Sequence, residues 1–89
     1  MEMRLLRPAL LELQEAADWY LSKSREVERR FLVEIGTARD RIVAHPHAWH
    51  PLGPGIRRYR LTHFPYGLIY AIEGDEIVVL AVAHLHRDP

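Results

Sequence analysis

Four side chains in the last third of the chain have types that could act on a phosphodiester bond. Arg58 and Arg60 lie two positions apart in one predicted strand, and His84 and Arg87 follow the last apolar run. Cleavage of RNA by its 2′-hydroxyl needs a proton acceptor, a proton donor for the leaving oxygen, and cations that stabilise the charged phosphorane. These residues could supply part of that set. The ordinary alternatives are surface ion pairs for the arginines and a satisfied polar side chain for His84.

The overall charge gives no support for a bulk affinity for nucleic acid. Twelve Lys and Arg residues balance twelve Asp and Glu residues, so a cationic site must arise from local clustering. Eleven of the twelve cations are Arg, whose forked guanidinium suits carboxylate or phosphate partners. We therefore expect any anion recognition to be local and to depend on arginine.

The composition also indicates where the protein is located and how many domains it has. The 89 residues include no Cys, which excludes disulfides, thiolate metal sites and a Cys nucleophile. The N-terminal segment is too charged for a signal peptide, and no apolar run is long enough to span a membrane. We predict a soluble, cytoplasmic protein with one domain over residues 1–89.

The first half of the chain predicts a strand followed by two helices. Met3 to Leu6 is a short apolar segment, and Pro8 is well placed in the first turn of a helix. Apolar residues recur every three or four positions from Ala9 to about Ser22, and again from Val27 to Ile42. Ser24 is a predicted cap for the second helix, so the two helices form an antiparallel hairpin.

The second half predicts a loop and three strands. His45 to Gly55 contains three prolines and two glycines, which predicts a connection without regular structure. Segments rich in β-branched and aromatic residues follow at Ile56–Leu61, Tyr66–Ile72 and Glu76–Ala83. The fold class is therefore α+β, with the helical hairpin packed on an antiparallel sheet in the order β-α-α-β-β-β.

Strand register decides which of the candidate side chains share a face of the sheet. A two-residue turn at 74–75 and a four-residue loop at 62–65 define a regular ladder. On that ladder Arg58, Arg60 and His84 lie on one face, and Arg57 lies on the other. Because side chains alternate along a strand, an odd change in the loop would separate the arginines from His84.

The predicted loop contains a histidine cluster, His45, His47 and His50, that invites comparison with a metal site. Prolines interrupt the cluster, and it offers neither a paired Cys nor two His four residues apart on a helix. We predict no metal and no cofactor.

Several segments together resemble the RelE/ParE superfamily of toxins from toxin–antitoxin systems, and the ParE side more than the RelE side. The resemblance covers nearly the whole chain, and no single motif is diagnostic. It rests on the ordered set Ala16-Ala17-Asp18-Trp19-Tyr20, Arg30-Phe31-Leu32, Ile56-Arg57-Arg58-Tyr59, Phe64-Pro65-Tyr66-Gly67-Leu68-Ile69-Tyr70 and Ala81-Val82-Ala83-His84-Leu85-His86-Arg87-Asp88-Pro89.

The resemblance implies the toxin of a bacterial type II toxin–antitoxin module that stabilises plasmids and inhibits growth. A cognate antitoxin would wrap around the helices and sheet of the toxin, form an oligomer with it, and hold the toxin inactive. ParE-like members inhibit DNA gyrase and need no catalytic centre, whereas RelE-like members cleave messenger RNA on the ribosome. A third alternative is a degenerate member that acts only as an antitoxin-bound co-repressor.

Only the RelE-like alternative would use Arg58, Arg60, His84 and Arg87 as catalytic residues. RelE-like enzymes typically carry additional Lys or Arg and often a C-terminal Tyr, whereas this chain has one Lys, no net charge and no residue after Pro89. This difference favours the ParE-like alternative. ParE-like sequences often continue further with an aromatic residue, so a C-terminally clipped chain stays an open alternative.

Overall fold

Seven helices and strands occur in the part of the chain that the computed structural model describes, residues 1–86. In chain order they are β1 (Glu2–Leu5), α1 (Arg7–Lys23), α2 (Arg25–Ala44), β2 (His50–Gly53), β3 (Ile56–Arg60), β4 (Tyr66–Glu73) and β5 (Glu76–His84). The predicted α+β fold class is confirmed, and the structure adds the short strand β2.

The helical hairpin has the predicted start and turn. Pro8 lies in the first turn of α1, where its missing N–H leaves no hydrogen bond unmade. Ser24 caps α2, because its hydroxyl accepts a hydrogen bond of 3.4 Å from the backbone N–H of Val27. The rings of Tyr20 and Phe31 pack between the two helices with centroids 5.0 Å apart. Local signals therefore fix both helix beginnings.

The five strands form one sheet in the order β1-β5-β4-β3-β2. Neighbouring strands are antiparallel except β1, which runs parallel to β5 with Leu5 opposite Val79. The predicted antiparallel sheet is therefore a mixed sheet. The short apolar segment at the N-terminus predicts a strand but contains no turn that would fix its direction.

Strand β2 lies in the segment that the prolines and glycines predict to be an irregular loop, and that prediction is wrong. Pro51 is tolerated because β2 is an edge strand with a neighbour on one side. Gly55, with a φ of 71°, makes the tight turn that returns the chain into β3.

The helices cover one face of the sheet and form the core with it. The core residues of the helices are Ala9, Ala16, Phe31, Ala38 and Ile42, and those of the sheet include Tyr59, Leu68, Tyr70, Ile77, Val79 and Val82. Side chains alternate along each strand, so the residues between these point to the opposite face. We call that opposite face of β3, β4 and β5 the open sheet face. Within residues 1–86, no helix is long and apolar enough to cross a membrane.

A β-bulge interrupts the ladder between the two longest strands. Tyr70 pairs with Val79 as the turn predicts, but the next residue, Ile69, pairs with Ala81, which leaves Leu80 as an extra residue of β5. One extra residue reverses the side-chain alternation of everything that follows it in the ladder. The bulge therefore decides which face His84 occupies.

Candidate functional site

Arg58 lies on the open sheet face with its side chain against the strand beside it. It pairs with Ile69 of β4, and its stem passes over Gly67. A Cβ atom added to Gly67 would lie 3.2 Å from Arg58 Cγ and 3.2 Å from a methyl carbon of Leu85. Because Gly67 has no side chain, Arg58 can lie close to the backbone of β4.

The guanidinium of Arg58 has an unsatisfied donor. Its Nε atom is buried and has no hydrogen-bond partner within residues 1–86. Leaving a buried donor unpaired costs about 1–3 kcal/mol, more when the group is charged. Carboxylate and phosphate oxygens match the guanidinium fork in shape and charge. An acidic group of a molecule that docks on this face would therefore satisfy Arg58.

Arg60 shares the open sheet face with Arg58. It pairs with Gly67 and is exposed, so its guanidinium is accessible to a macromolecular partner. Arg57 points the other way, and its Nη1 donates a hydrogen bond of 2.8 Å to the backbone oxygen of Trp49. The predicted separation of Arg58 and Arg60 from Arg57 is confirmed.

His84 lies on the helix-covered face, and the prediction that it shares a face with Arg58 and Arg60 is wrong. The bulge at Leu80 places His84 opposite Tyr66, with the two ring centroids 5.0 Å apart. Its Nδ1 accepts a hydrogen bond of 3.1 Å from the backbone N–H of His86. The sheet itself therefore separates His84 from both arginines.

Arg87 lies outside the described residues, so its predicted role stays a prediction. Within residues 1–86, no three His, Asp or Glu side chains are gathered as metal ligands, and this applies to His45, His47 and His50.

A second concave surface lies on the other layer, between α2 and the loop that joins β3 to β4. We call it the α2 groove; its volume is about 650 Å³, and its lining includes Arg30, Val33, Glu34, Arg41, Tyr59 and Phe64. Arg41 Nη1 donates a hydrogen bond of 3.0 Å to the hydroxyl of Tyr59, which ties α2 to β3. This size is within the range of ligand-binding clefts.

Glu34 holds the loop that forms one wall of the α2 groove. Its carboxylate accepts hydrogen bonds from the backbone N–H groups of Thr62 and His63 and lies 3.0 Å from His63 Nδ1. The Glu34 side chain is only 13% exposed, so these contacts occupy it within the protein. The positive side chains therefore dominate the groove.

The sequence of this chain matches the model of a known protein family. The family model described as the ParE toxin of the type II toxin–antitoxin system, parDE, matches residues 3–89. The chain belongs to the ParE toxin family. Because such a toxin is one half of a two-protein system, the partner of this ParE-family chain is a cognate antitoxin.

A solved structure supports the same fold for this ParE-family chain. The structure described as the chromosomal ParDE TA system from P. aeruginosa superposes with a TM-score of 0.81. The match covers 97% of each chain at 22% sequence identity, and at that identity the likeness shows the fold alone. Among curated proteins, none matches this chain.

The α2 groove of this ParE-family chain could not be predicted from the sequence. Glu34 and Arg41 are seven residues apart and so lie on one stripe of α2, but that spacing is common on solvated helix faces. The contacts of Glu34 to the loop between β3 and β4 span 28 and 29 residues. Such long-range contacts have no local sequence signal.

Proposed function

We propose that this ParE-family chain is a cytoplasmic toxin that inhibits DNA gyrase through its open sheet face, and that its cognate antitoxin neutralises it. The observation that carries this choice is the placement of His84. A RelE-like nuclease would need a proton acceptor beside the arginines, and in this fold the sheet lies between His84 and Arg58. Binding, in contrast, needs only complementary surfaces.

The chemistry of Arg58 supports a binding role for the open sheet face. Within residues 1–86 the Nε atom of Arg58 is a charged donor buried without a partner, which is unfavourable, so an acidic group that reaches it gains more than an ordinary surface contact. Arg60, exposed on the same face, adds a second forked cation beside it. We therefore expect both arginines to contact acidic groups of the target.

Expression of the toxin in cells tests the proposed target. We expect growth arrest together with loss of negative supercoiling in a reporter plasmid, while full-length messenger RNA persists. Rapid loss of full-length messenger RNA with supercoiling intact would instead identify a ribosome-dependent nuclease. If expression changes neither, the chain acts only with its antitoxin, as a co-repressor.

A double substitution tests the assignment of the open sheet face. Changing Arg58 and Arg60 to Ala removes both forked cations, so we expect growth arrest to be lost while thermal unfolding shows that the fold is kept. The matched control is Arg39→Ala, which removes an exposed arginine that pairs with Asp40 on α2. Growth arrest that persists in the double variant would refute the assignment.

A further inference from the structure

We propose that Glu34 of α2 is a positioning residue for Arg58 and Arg60 on the open sheet face. This inference rests on the proposed function, in which that face binds the target. Helix α2 covers the other face of the sheet, so Glu34 acts through the loop that joins β3 to β4. That loop contacts α2 at its beginning and the residue after β5 at its end.

Glu34 fixes the beginning of the loop. Its carboxylate accepts hydrogen bonds from the backbone N–H groups of two consecutive residues, Thr62 and His63. Hydrogen bonds to a charged acceptor are about twice as strong as neutral ones, and Glu34 is mostly buried, so water competes little for them. Thr62 follows two residues after Arg60, the last residue of β3. The contact therefore determines how the chain leaves the strand that carries both arginines.

The loop is short and internally bonded, so its two ends move together. The N–H of Tyr66 donates a hydrogen bond of 2.8 Å to the backbone oxygen of Phe64, and the N–H of Leu61 donates one of 2.9 Å to that of Tyr66. The ring of Phe64 packs edge-on against that of Phe31, with centroids 5.2 Å apart. Glu34 and Phe31 therefore attach the loop to α2 at two points.

The end of the loop holds Leu85. The backbone oxygen of Pro65 accepts a hydrogen bond of 2.8 Å from the N–H of Leu85, which follows the last residue of β5. This bond links the loop to the segment after β5 without a contact between side chains. A displacement of the loop would therefore move the backbone of Leu85.

Leu85 lies beside the stem of Arg58. A Cβ atom at Gly67 would lie 3.2 Å from a methyl carbon of Leu85 and 3.2 Å from Arg58 Cγ, so both side chains lie over the same glycine. Leu85 thus restricts the movement of the Arg58 stem on one side. An arginine that moves freely loses more conformational entropy when it binds than one already held in place. Glu34 therefore keeps Arg58 ordered for its acidic partner.

Nuclear magnetic resonance of the full-length toxin tests this positioning without any target. The probe is the Nε–H signal of Arg58 in isotope-labelled protein, assigned by its loss in Arg58→Lys. In the parent we expect a heteronuclear NOE close to that of the backbone, and in Glu34→Ala a fall toward the value of an exposed arginine. The matched control is Asp40→Ala, an exposed acid on α2 that contacts Arg39, and it should leave the signal unchanged. An unchanged NOE in Glu34→Ala would overturn the proposal.

Gyrase inhibition by the same variants tests the consequence for binding. We expect the toxin concentration that halves supercoiling to rise about three- to tenfold in Glu34→Ala. The rise should be smaller in Glu34→Gln, because its amide oxygen still accepts a backbone N–H. When Glu34→Ala is added to Arg58→Ala, little further loss should follow, because both changes act on the same contact. An equal further loss in both backgrounds would mean that Glu34 only supports the fold, which refutes the positioning role.

The two measurements separate this inference from the proposed function. If the parent never inhibits gyrase but the Arg58 signal responds to Glu34→Ala as expected, the proposed function fails alone. If the parent inhibits gyrase and the Arg58 signal does not respond, the role of Glu34 fails alone. If thermal unfolding shows that Glu34→Ala does not fold, Glu34→Gln takes its place in both measurements.

Discussion

The position of the Arg58 side chain depends on the absence of a side chain at Gly67. The stem of Arg58 lies 3.2 Å from the place that a Cβ of residue 67 would take, and its Nε atom is buried without a partner in residues 1–86. A guanidinium held in one place loses less conformational entropy on binding than a freely moving one. Gly67 is therefore a positioning residue for Arg58.

The substitution Gly67→Ala tests this positioning. The new methyl group would lie 3.2 Å from Arg58 Cγ and 3.3 Å from Arg58 Cδ, so the flexible arginine must move aside. We expect gyrase inhibition to weaken several-fold, while the free energy of unfolding changes by less than about 1 kcal/mol. The control is Gly53→Ala, because a Cβ there meets nothing within 4 Å. Equal inhibition by the two variants would refute the role of Gly67.

The buried phenol of Tyr70 makes the stability of the fold depend on pH in the alkaline range. Its side chain is fully buried, and its hydroxyl donates a hydrogen bond of 2.6 Å to the backbone oxygen of Pro46. Burial raises the pKa of Tyr70, and the nearby charge of Arg57 offsets part of that rise. Since the pKa of Tyr70 is higher in the folded state, keeping this phenol protonated contributes to the free energy of unfolding. That contribution is complete below the unfolded pKa of about 10. It is lost as the pH rises through the folded pKa.

Denaturant unfolding at a series of pH values tests this linkage. We expect the free energy of unfolding to fall above about pH 10 in the parent, and the fall to be shallower in Tyr70→Phe. Below that pH, Tyr70→Phe should be less stable by about 1 kcal/mol, because the oxygen of Pro46 loses its donor. Parallel curves for the two proteins above pH 10 would contradict this account.

At the scale of elements, the bulge in β5 determines the layout of the site. The neighbouring strand β1 accompanies β5 only as far as Val79. Beyond that point a side chain of α1 supplies the acceptor that a neighbouring strand would otherwise supply. The carboxylate of Glu12 accepts a hydrogen bond of 3.0 Å from the backbone N–H of Val82. Helix α1 therefore supports the part of β5 that follows the bulge and carries His84.

Replacing Glu12 with Ala tests this support. The N–H of Val82 would lose a charged acceptor in a partly buried place, so we expect a loss of about 1–3 kcal/mol in the free energy of unfolding. The control is Glu15→Ala, an exposed glutamate on the same helix, for which the expected change is within about 0.5 kcal/mol. Similar losses for both variants would mean that Glu12 acts only through the helix.

Much of the fold could be predicted because its signals are local. The cap at Ser24, the turn at 74–75 and the pairing of Tyr70 with Val79 depend on neighbouring residues. Strand β2 could not be predicted, because its prolines suppress a strand pattern that pairing with β3 supports. The face of His84 could not be predicted either, because the extra residue Leu80 lies within an uninterrupted apolar run.

At the scale of the whole molecule, the two layers carry different surfaces. The open sheet face carries Arg58 and Arg60, and the α2 groove carries Arg30 and Arg41 on the helical side. A chain without net charge thus has two local cationic surfaces. We expect recognition of anions at these local surfaces rather than a general affinity for nucleic acid.

The most direct test of this account is DNA supercoiling by purified gyrase at rising concentrations of the full-length toxin. We expect supercoiling to stop with toxin alone and to recover when an equal amount of antitoxin is mixed with it first. The double substitution of Arg58 and Arg60 to Ala should leave supercoiling intact. Undiminished supercoiling at toxin concentrations that arrest growth in cells would contradict the central claim.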